Sequence, residues 1–158
     1  MGKFAIAAVL AIAAASAQAG GTFDSAGKGT GTSQNDIVPI SDTHMIMHSK
    51  TTWDAMEMTD PEHPFNGMSG ACFGAVEIMV PGASGAGNCA FTDGDGDLST
   101  NRWIVTGMTP EGALTGSWTV IGGTGKFTGV TGGGSFETLT DRDTGAFENT
   151  LTGAVTLR

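Results

Sequence analysis

Alternating carboxylates in one short segment suggest the first chemistry that this chain could perform. Asp93, Asp95 and Asp97 are separated by single glycines, and oxygen ligands at the first, third and fifth positions are typical of the start of a calcium loop. The twelfth position, where such a loop carries a bidentate glutamate, is Ile104. We therefore favour a solvated acidic hairpin turn, with weak calcium binding as the alternative and no other cofactor.

Histidine and methionine residues form a second candidate, a copper site. His44 and His48 flank Met45 and Met47, and both residue types bind copper. On a strand the two histidines would lie about 13 Å apart, too far to share one ion. The methionines would take the opposite face, where packing into the core is the favoured interpretation.

A targeting signal is predicted at residues 1–19. Lys3 gives a positive start, residues 4–15 are apolar, and residues 17–19 read Ala-Gln-Ala, the small-x-small pattern of a cleavage site. The apolar run is shorter than the ~20 residues of a membrane-spanning helix. We expect a cleaved signal peptide, a mature chain that begins near Gly20, no membrane insertion after cleavage, and a secreted or periplasmic bacterial protein.

The two cysteines, Cys72 and Cys89, are interpreted in that light. Disulfides persist in exported proteins, and two cysteines allow one bridge. Residues 71–80 and 88–92 read as a strand and its return strand around a turn-rich stretch, which would set the cysteines opposite each other. A catalytic thiol or a metal pair are the alternatives to this disulfide.

Composition excludes several functional classes. The chain has 158 residues, 26 of them glycine, and seven basic against 16 acidic residues give a net charge of −9. This length fits one domain, and the acidity argues against a nucleic-acid partner. Residues 20–35 lack apolar periodicity and are predicted to be a flexible leader, so the domain is placed at residues 36–158.

Period-two patterns predict an all-β domain. Phe147, Leu151 and Val155 share one parity near the C-terminus, and similar patterns indicate about eight short strands in all. Such strands can form a sandwich or a barrel. Glycines within the strands favour a small closed antiparallel eight-stranded barrel, because tightly curved strands use glycine where they bend.

Aromatic side chains are the candidates for a barrel cavity. We select Trp53, Phe73, Trp103 and Trp118, with Glu77 as a polar group among them. Glu77 shares its parity with Phe73, so an inward face would bury the carboxylate and raise its pKa toward an acid–base role. An outward face would leave Glu77 as a solvated charge, which is the more common outcome.

The glycine-rich segment 116–132 reads GSWTVIGGTGKFTGVTG. It lacks the spacing of a phosphate-binding loop and precedes no helix, so nucleotide binding is not indicated. The segment resembles the strand-turn-strand of the allene oxide cyclase and dirigent superfamily of barrels. Residues 70–74 (GACFG) and 89–97 (CAFTDGDGD) are similar to elements of the superfamily's secreted bacterial branch.

This resemblance implies a calycin-like eight-stranded antiparallel barrel with an apolar cavity, often assembled as a homo-oligomer, either a trimer or a dimer. Plant members of the superfamily cyclise a fatty-acid epoxide or steer phenoxy-radical coupling. The chain contains no tyrosine, and the polar pocket residues of the plant enzymes find no match. The catalytic residues are therefore unknown.

Two functional classes follow. The favoured one is a secreted barrel that binds a small apolar ligand or serves as a structural or interaction module. The alternative is a cyclase or isomerase that shapes a flexible apolar substrate in the cavity, which needs few titratable groups. A cavity lined by aromatic residues with a convergent polar group would favour a binder or an enzyme, and a filled barrel would favour the structural module.

Overall fold

A computed structural model of the protein describes residues 20–158, so the predicted signal peptide at 1–19 lies outside the described residues. This part of the chain is nearly all β. The strands are β1 (Thr22–Asp24), β2 (Gly27–Ser41), β3 (His44–Met58), β4 (Ser69–Met79), β5 (Gly82–Thr92), β6 (Leu98–Met108), β7 (Leu114–Gly123), β8 (Thr131–Thr140) and β9 (Ala146–Thr156), with a 3₁₀ turn at Gly125–Phe127.

The strands close into an eight-stranded antiparallel barrel, as predicted. Strands β2 to β8 follow one another in sequence order, and β9 pairs with both β8 and β2. The extra strand β1 pairs with β9 beside β2. Closure gives most strands a partner on both sides, which removes the exposed edges of an open sheet.

Alternation of side chains defines the inside of the barrel. In β9, Phe147, Leu151 and Val155 are buried, whereas Glu148 and Thr150 between them are exposed. Successive strand residues point to opposite faces of a sheet. The apolar parity of the C-terminal strand therefore points inward, as its pattern predicts.

The prediction of a flexible leader at residues 20–35 is wrong. Strand β1 and the first half of β2 lie in this segment, and β2 pairs with both β3 and β9. Its inward positions are Gly27, Gly29 and Gly31. A Cβ on Gly29 would lie 2.1 Å from the Trp53 ring, so a neighbouring indole fills the space that an apolar residue would occupy.

The β2–β3 hairpin turns at residues 42–43, between two strands of 15 residues each. The turn of the β4–β5 hairpin differs from its predicted position. The stretch 81–87, expected to be a turn, enters β5 at Gly82. Residues 82–87 are all glycine, alanine or serine, a composition that is typical of a loop, but β5 pairs with β4 along its whole length.

The two ends of the barrel are packed differently. At the closed end, Phe65 and Met68 from the loop at residues 59–68 and Phe127 from the 3₁₀ turn are 2%, 0% and 0% exposed. At the opposite end, which we call the mouth, a smaller cluster forms around Val76, Ile78 and Val105. The closed end holds most of the core, and the mouth holds a thinner apolar layer.

Among residues 20–158, no helix has the length and apolar character needed to cross a membrane.

Candidate ligand-binding site

The barrel encloses a cavity of about 120 Å³ that extends from the mouth toward Phe65 at the closed end. Its lining is mainly apolar, with several hydroxyl and amide side chains. The described residues that line it include Ser25, Ser33, Asn35, Met47, Ser49, Thr51, Trp53, Met56, Met58, Phe65, Cys72, Val76, Cys89, Phe91, Asn101, Trp103, Trp118, Phe136, Thr138, Thr140, Phe147, Asn149 and Leu151. The barrel is therefore only partly filled by its own side chains.

Aromatic rings form much of the cavity wall. Trp53 packs edge-on against Phe91 at 5.3 Å and against Phe147 at 5.2 Å between ring centroids. Its indole N–H donates to Thr51 Oγ1 at 3.2 Å, and the indole of Trp118 donates to the carbonyl of Thr152 at 3.1 Å. Both indoles have hydrogen-bond partners, so the ring faces are left for apolar contacts.

The ring of Trp103 packs over two neighbouring glycines of the sheet, Gly74 and Gly87. A Cβ on Gly74 or Gly87 would lie 2.4 or 2.2 Å from the Trp103 ring. These glycines are register partners on β4 and β5, and Gly87 also pairs with Trp103 on β6. The strand glycines thus admit a large ring to the interior, which adds a packing role to the bending role expected from the sequence.

Three buried or half-buried asparagines line the cavity, and they differ in their hydrogen bonds. Asn35 Oδ1 accepts from Ser33 Oγ at 3.0 Å, and Asn101 Oδ1 accepts from Ser99 Oγ at 3.3 Å. Asn149, which is 5% exposed, donates through Nδ2 to Thr138 Oγ1, but its Oδ1 has no donor among the described residues. Within residues 20–158, this buried side-chain oxygen therefore has no hydrogen-bond donor.

Ionisable side chains are nearly missing from the cavity. Arg102 is the only ionisable residue among those described that line it. Arg102 is exposed, and its strand position alternates with the inward Asn101 and Trp103. Within residues 20–158, the inward-facing residues that line the cavity therefore offer apolar contacts and neutral hydrogen bonds, but no carboxylate, imidazole or amine for proton transfer.

The predicted cavity residues divide into two groups. Trp53, Trp103 and Trp118 line the cavity. Phe73 also contributes to the lining, although its side chain is 59% exposed and has the outward parity of β4. Glu77 shares this parity and is not among the lining residues, which agrees with the outward orientation favoured from the sequence. The inward positions of that strand are taken by Cys72, Gly74 and Val76, which have the opposite parity.

The predicted disulfide is present. Cys72 and Cys89 are register partners on β4 and β5 and form a bridge. Both cysteines are buried on the cavity wall and no described cysteine is free. The bridge staples adjacent strands from the inside, so neither sulfur serves as a thiol nucleophile.

In the Asp-rich turn, the Asp93 carboxylate binds other groups of the protein. Asp93 Oδ1 accepts the main-chain N–H groups of Asp95 and Asp97, each at 2.9 Å, and Oδ2 lies 2.7 Å from Lys126 Nζ. Burial would raise the pKa of Asp93, but Lys126 and the two N–H groups together lower it. The ammonium of Lys126 thus neutralises the buried carboxylate.

A second contact joins this turn to the 3₁₀ turn. Asp97 Oδ2 accepts the main-chain N–H of Lys126 at 3.0 Å. Within residues 20–158, no group of three His, Cys, Asp or Glu side chains is placed to hold a metal ion. These contacts support a structural role for the turn, and weak calcium binding stays a prediction.

The His–Met segment lies on β3 with its two residue types on opposite faces. His44 Nε2 lies 2.8 Å from Glu77 Oε1 on the outer surface, and His48 is exposed. Met45 and Met47 pack against the mouth cluster inside. The methionines have the packing role that was favoured over copper binding.

Sequence reasoning missed a buried serine–histidine pair at the closed end. Ser25 Oγ and His63 Nε2 are 3.0 Å apart, and the two residues are 0% and 3% exposed. The pair was not apparent from spacing, because 38 residues separate its members and neither lies in a motif.

Hydrogen bonding fixes the tautomer of His63. The main-chain N–H of Phe65 donates to Nδ1 at 3.0 Å, so the ring hydrogen resides on Nε2 and is donated to Ser25. Burial lowers the pKa of His63 despite the opposing fields of Asp60 and Asp24. Since Nε2 is a donor, it cannot take a proton from Ser25, and the pair holds the loop rather than forming a nucleophile.

Comparison with protein-family models, curated proteins and solved structures gives no match to this chain. The resemblance to the allene oxide cyclase and dirigent superfamily therefore stays a prediction, carried by the segments at residues 70–74, 89–97 and 116–132. The dimer or trimer implied by that resemblance stays a prediction as well.

Proposed function

We propose that this barrel binds a small, mainly apolar molecule in its interior. The observation that carries the proposal is the aromatic-lined cavity of about 120 Å³. A closed barrel that served only as a scaffold would gain stability by filling this space, because cavities cost packing energy.

The size and lining of the cavity restrict the ligand. An apolar cavity of about 150 Å³ in another protein binds benzene, so the space here fits one ring or a short branched chain. Trp53, Phe91 and Phe147 supply ring edges and faces on one side. Burial of apolar ligand surface would supply most of the binding free energy.

Binding is favoured over acid–base catalysis by the chemistry of the interior. The lining offers hydroxyl and amide groups, and Arg102 is its only ionisable residue among those described. Ser25, the hydroxyl that lies next to a histidine, accepts a hydrogen bond from His63 and is not activated by it. Cyclisation by shaping a bound substrate stays the alternative prediction, since it needs no proton transfer.

The test is thermal unfolding in the presence of toluene. A ligand that binds only the folded state stabilises it by about 1.4 kcal/mol at ten times Kd, so the midpoint should rise with toluene concentration. Ser49 lines the cavity, and Ser49→Leu should abolish the rise by filling the space.

The matched control is Ser117→Leu, which places the same side chain on the exposed face of β7. This variant should respond to toluene as the natural protein does. An unchanged midpoint in the natural protein, or equal responses from the two variants, would refute a binding site inside the barrel.

We also propose that the protein is exported. The apolar run at residues 4–15, the Ala-Gln-Ala sequence at 17–19 and the disulfide between Cys72 and Cys89 support export. N-terminal sequencing of the protein from its own cells should give a chain that begins near Gly20. A mature chain that retains residues 4–15 would contradict cleavage.

A further inference from the structure

Four polar residues form one block of the cavity wall between the Trp53 ring and the mouth. Asn35 on β2 and Ser49 on β3 are register partners, and the next inward pair toward the closed end is Ser33 and Thr51. All four line the cavity and are half-buried, and we call them the polar quartet. Opposed residues of an antiparallel pair have Cβ atoms about 5 Å apart, so Asn35 and Ser49 can bind the same ligand atom.

Two hydroxyl groups of the polar quartet have hydrogens that no described residue accepts. Within residues 20–158, fully buried side-chain oxygen or nitrogen atoms without a partner occur only at Asp93 and Asn149. Ser49 Oγ, which also has no partner, is therefore accessible from the cavity. Thr51 Oγ1 accepts the indole N–H of Trp53 at 3.2 Å. Because an indole N–H can only donate, the hydrogen of the Thr51 hydroxyl stays free.

Asn35 adds a further donor in either orientation of its amide. Its side chain makes one hydrogen bond among the described residues, to Ser33 Oγ at 3.0 Å. The amide nitrogen carries two hydrogens and this contact uses at most one of them, so at least one N–H is unbonded. The polar quartet therefore presents free donors from Asn35, Ser49 and Thr51 on one wall.

The ring of Trp103 lies next to this block. Along one row of the sheet, Ser49 pairs with Gly74, Gly74 with Gly87, and Gly87 with Trp103. The indole covers both glycines, since a Cβ on either would lie 2.4 or 2.2 Å from the ring. No side chain separates the indole from Ser49 along this row. A ligand that packs on Trp103 is therefore within reach of the polar quartet.

The group that suits these donors is an uncharged oxygen acceptor. Within residues 20–158, no inward-facing residue of the lining carries a charge, and a carboxylate without a cation is costly to bury. A ligand hydroxyl would bring another hydrogen to a wall that already has free donors. A carbonyl oxygen has two lone pairs and no hydrogen, so it can accept from Asn35 and Ser49 together.

We propose that the ligand is a small, uncharged carbonyl compound. Its oxygen accepts hydrogen bonds from Ser49 Oγ and Asn35 Nδ2, and its hydrocarbon part packs against Trp103. This inference rests on the proposed function, because it specifies the ligand class of the same cavity.

The test compares cyclohexanone, cyclohexanol and methylenecyclohexane, which share a ring and are nearly equal in size. Their dissociation constants are measured by calorimetric titration for the natural protein, Ser49→Ala and Ser117→Ala. Ser117 is the matched control, since the same change falls on the exposed face of β7. Dividing the methylenecyclohexane value by the cyclohexanone value cancels general changes in packing.

We expect this ratio to fall about threefold to tenfold in Ser49→Ala, as for the loss of one hydrogen bond, and to stay within about twofold in Ser117→Ala. The affinity for cyclohexanol should change less than that for cyclohexanone. In the natural protein, the infrared carbonyl stretch of bound, isotope-labelled cyclohexanone should have the lowered frequency of a hydrogen-bonded ketone. This second measurement does not depend on the folding of a variant.

Three outcomes would count against the account. An unchanged ratio in Ser49→Ala, or a carbonyl stretch at the frequency found in an alkane solvent, would overturn the inference, while binding of methylenecyclohexane would uphold the proposed function. A larger loss of affinity for cyclohexanol than for cyclohexanone in Ser49→Ala would show a donor in the ligand and would also overturn it. Failure of all three probes to bind would refute the proposed function itself.

Discussion

The closed end and the mouth of the barrel are formed by the same eight strands but differ in how tightly their interior is packed. At the closed end, loop and turn residues enter the barrel and are fully packed, as Phe127 and Met68 show with 0% exposure each. At the mouth, half-buried polar residues such as Ser33, Asn35 and Thr140 line the cavity. The difference shows that connections between strands, rather than the strands themselves, decide which part of the interior stays open.

Polar contacts reinforce the same difference. The closed end holds the buried pair Ser25–His63 and the ion pair Asp93–Lys126. Toward the mouth the polar contacts join neutral, half-buried groups, as in the hydrogen bond from Ser33 Oγ to Asn35 Oδ1 at 3.0 Å. We interpret the closed end as the part that stabilises the barrel and the mouth half as the part that binds.

The largest expected effect on the free energy of unfolding comes from Phe127, which is buried at the closed end. Phe127→Ala should lower the free energy of unfolding by about 3–5 kcal/mol, because the ring is fully buried and leaves a cavity. Phe136→Ala, on the cavity wall near the mouth, should cost less than half as much, since Phe136 is only half-buried. Urea unfolding measures both, and equal losses would remove the proposed distinction between the ends.

The disulfide should have the next largest effect. Replacement of both Cys72 and Cys89 by alanine should cost about 3 kcal/mol, because the bridge closes a loop with a sequence separation of 17. The same loss should follow reduction of the natural protein. Unfolding curves with and without reductant measure it, and coincident curves would show that the bridge adds no stability.

Acidification should weaken the closed end through His63. Burial lowers the pKa of this imidazole in the folded state. Between its usual value of about 6.5 and the lower folded value, the unfolded chain binds more protons. The free energy of unfolding should therefore fall as the pH drops below about 6.5.

The control for that pH dependence is another histidine. Unfolding free energies at pH 7.5 and pH 5 should differ less for His63→Gln than for the natural protein. His48→Gln, at an exposed position of β3, should keep the natural difference. The assignment to His63 would be wrong if the two variants lost the pH dependence equally.

The smallest effect concerns two ion pairs. Lys126→Met should cost about 1–2 kcal/mol, because it leaves the buried Asp93 carboxylate without its cation. Lys28→Met should cost roughly 0.5 kcal/mol, since Lys28 and Glu148 are 57% and 55% exposed. Thermal unfolding at low and high salt measures both, and a reversed order would contradict the role of the Asp-rich turn.

Local patterns were sufficient to predict the barrel and part of its inner face. The parity of Phe147, Leu151 and Val155, and the disulfide between β4 and β5, follow from period-two alternation and a short hairpin. The first half of β2 could not be found in this way. Its inward positions Gly27, Gly29 and Gly31 pack against atoms of neighbouring strands, with the Trp53 ring over Gly29, so no hydrophobic period remains in the sequence there.

The polar site was also beyond sequence reasoning. Asn149 lies next to Gly29 because β9 pairs with β2, a contact between distant parts of the chain. Glu77 was a plausible candidate by type, but strand parity places it outside beside His44.

The most direct test of the account is a map of methionine methyl NMR shifts during titration with toluene. Met47, Met56 and Met58 line the cavity, whereas Met68 is packed at 0% exposure and Met79 is 56% exposed on the outside. We predict saturable shifts of the three lining methyls, with Met68 and Met79 unchanged. Shifts confined to Met79, or no saturable shift at any methionine, would contradict a ligand-binding interior.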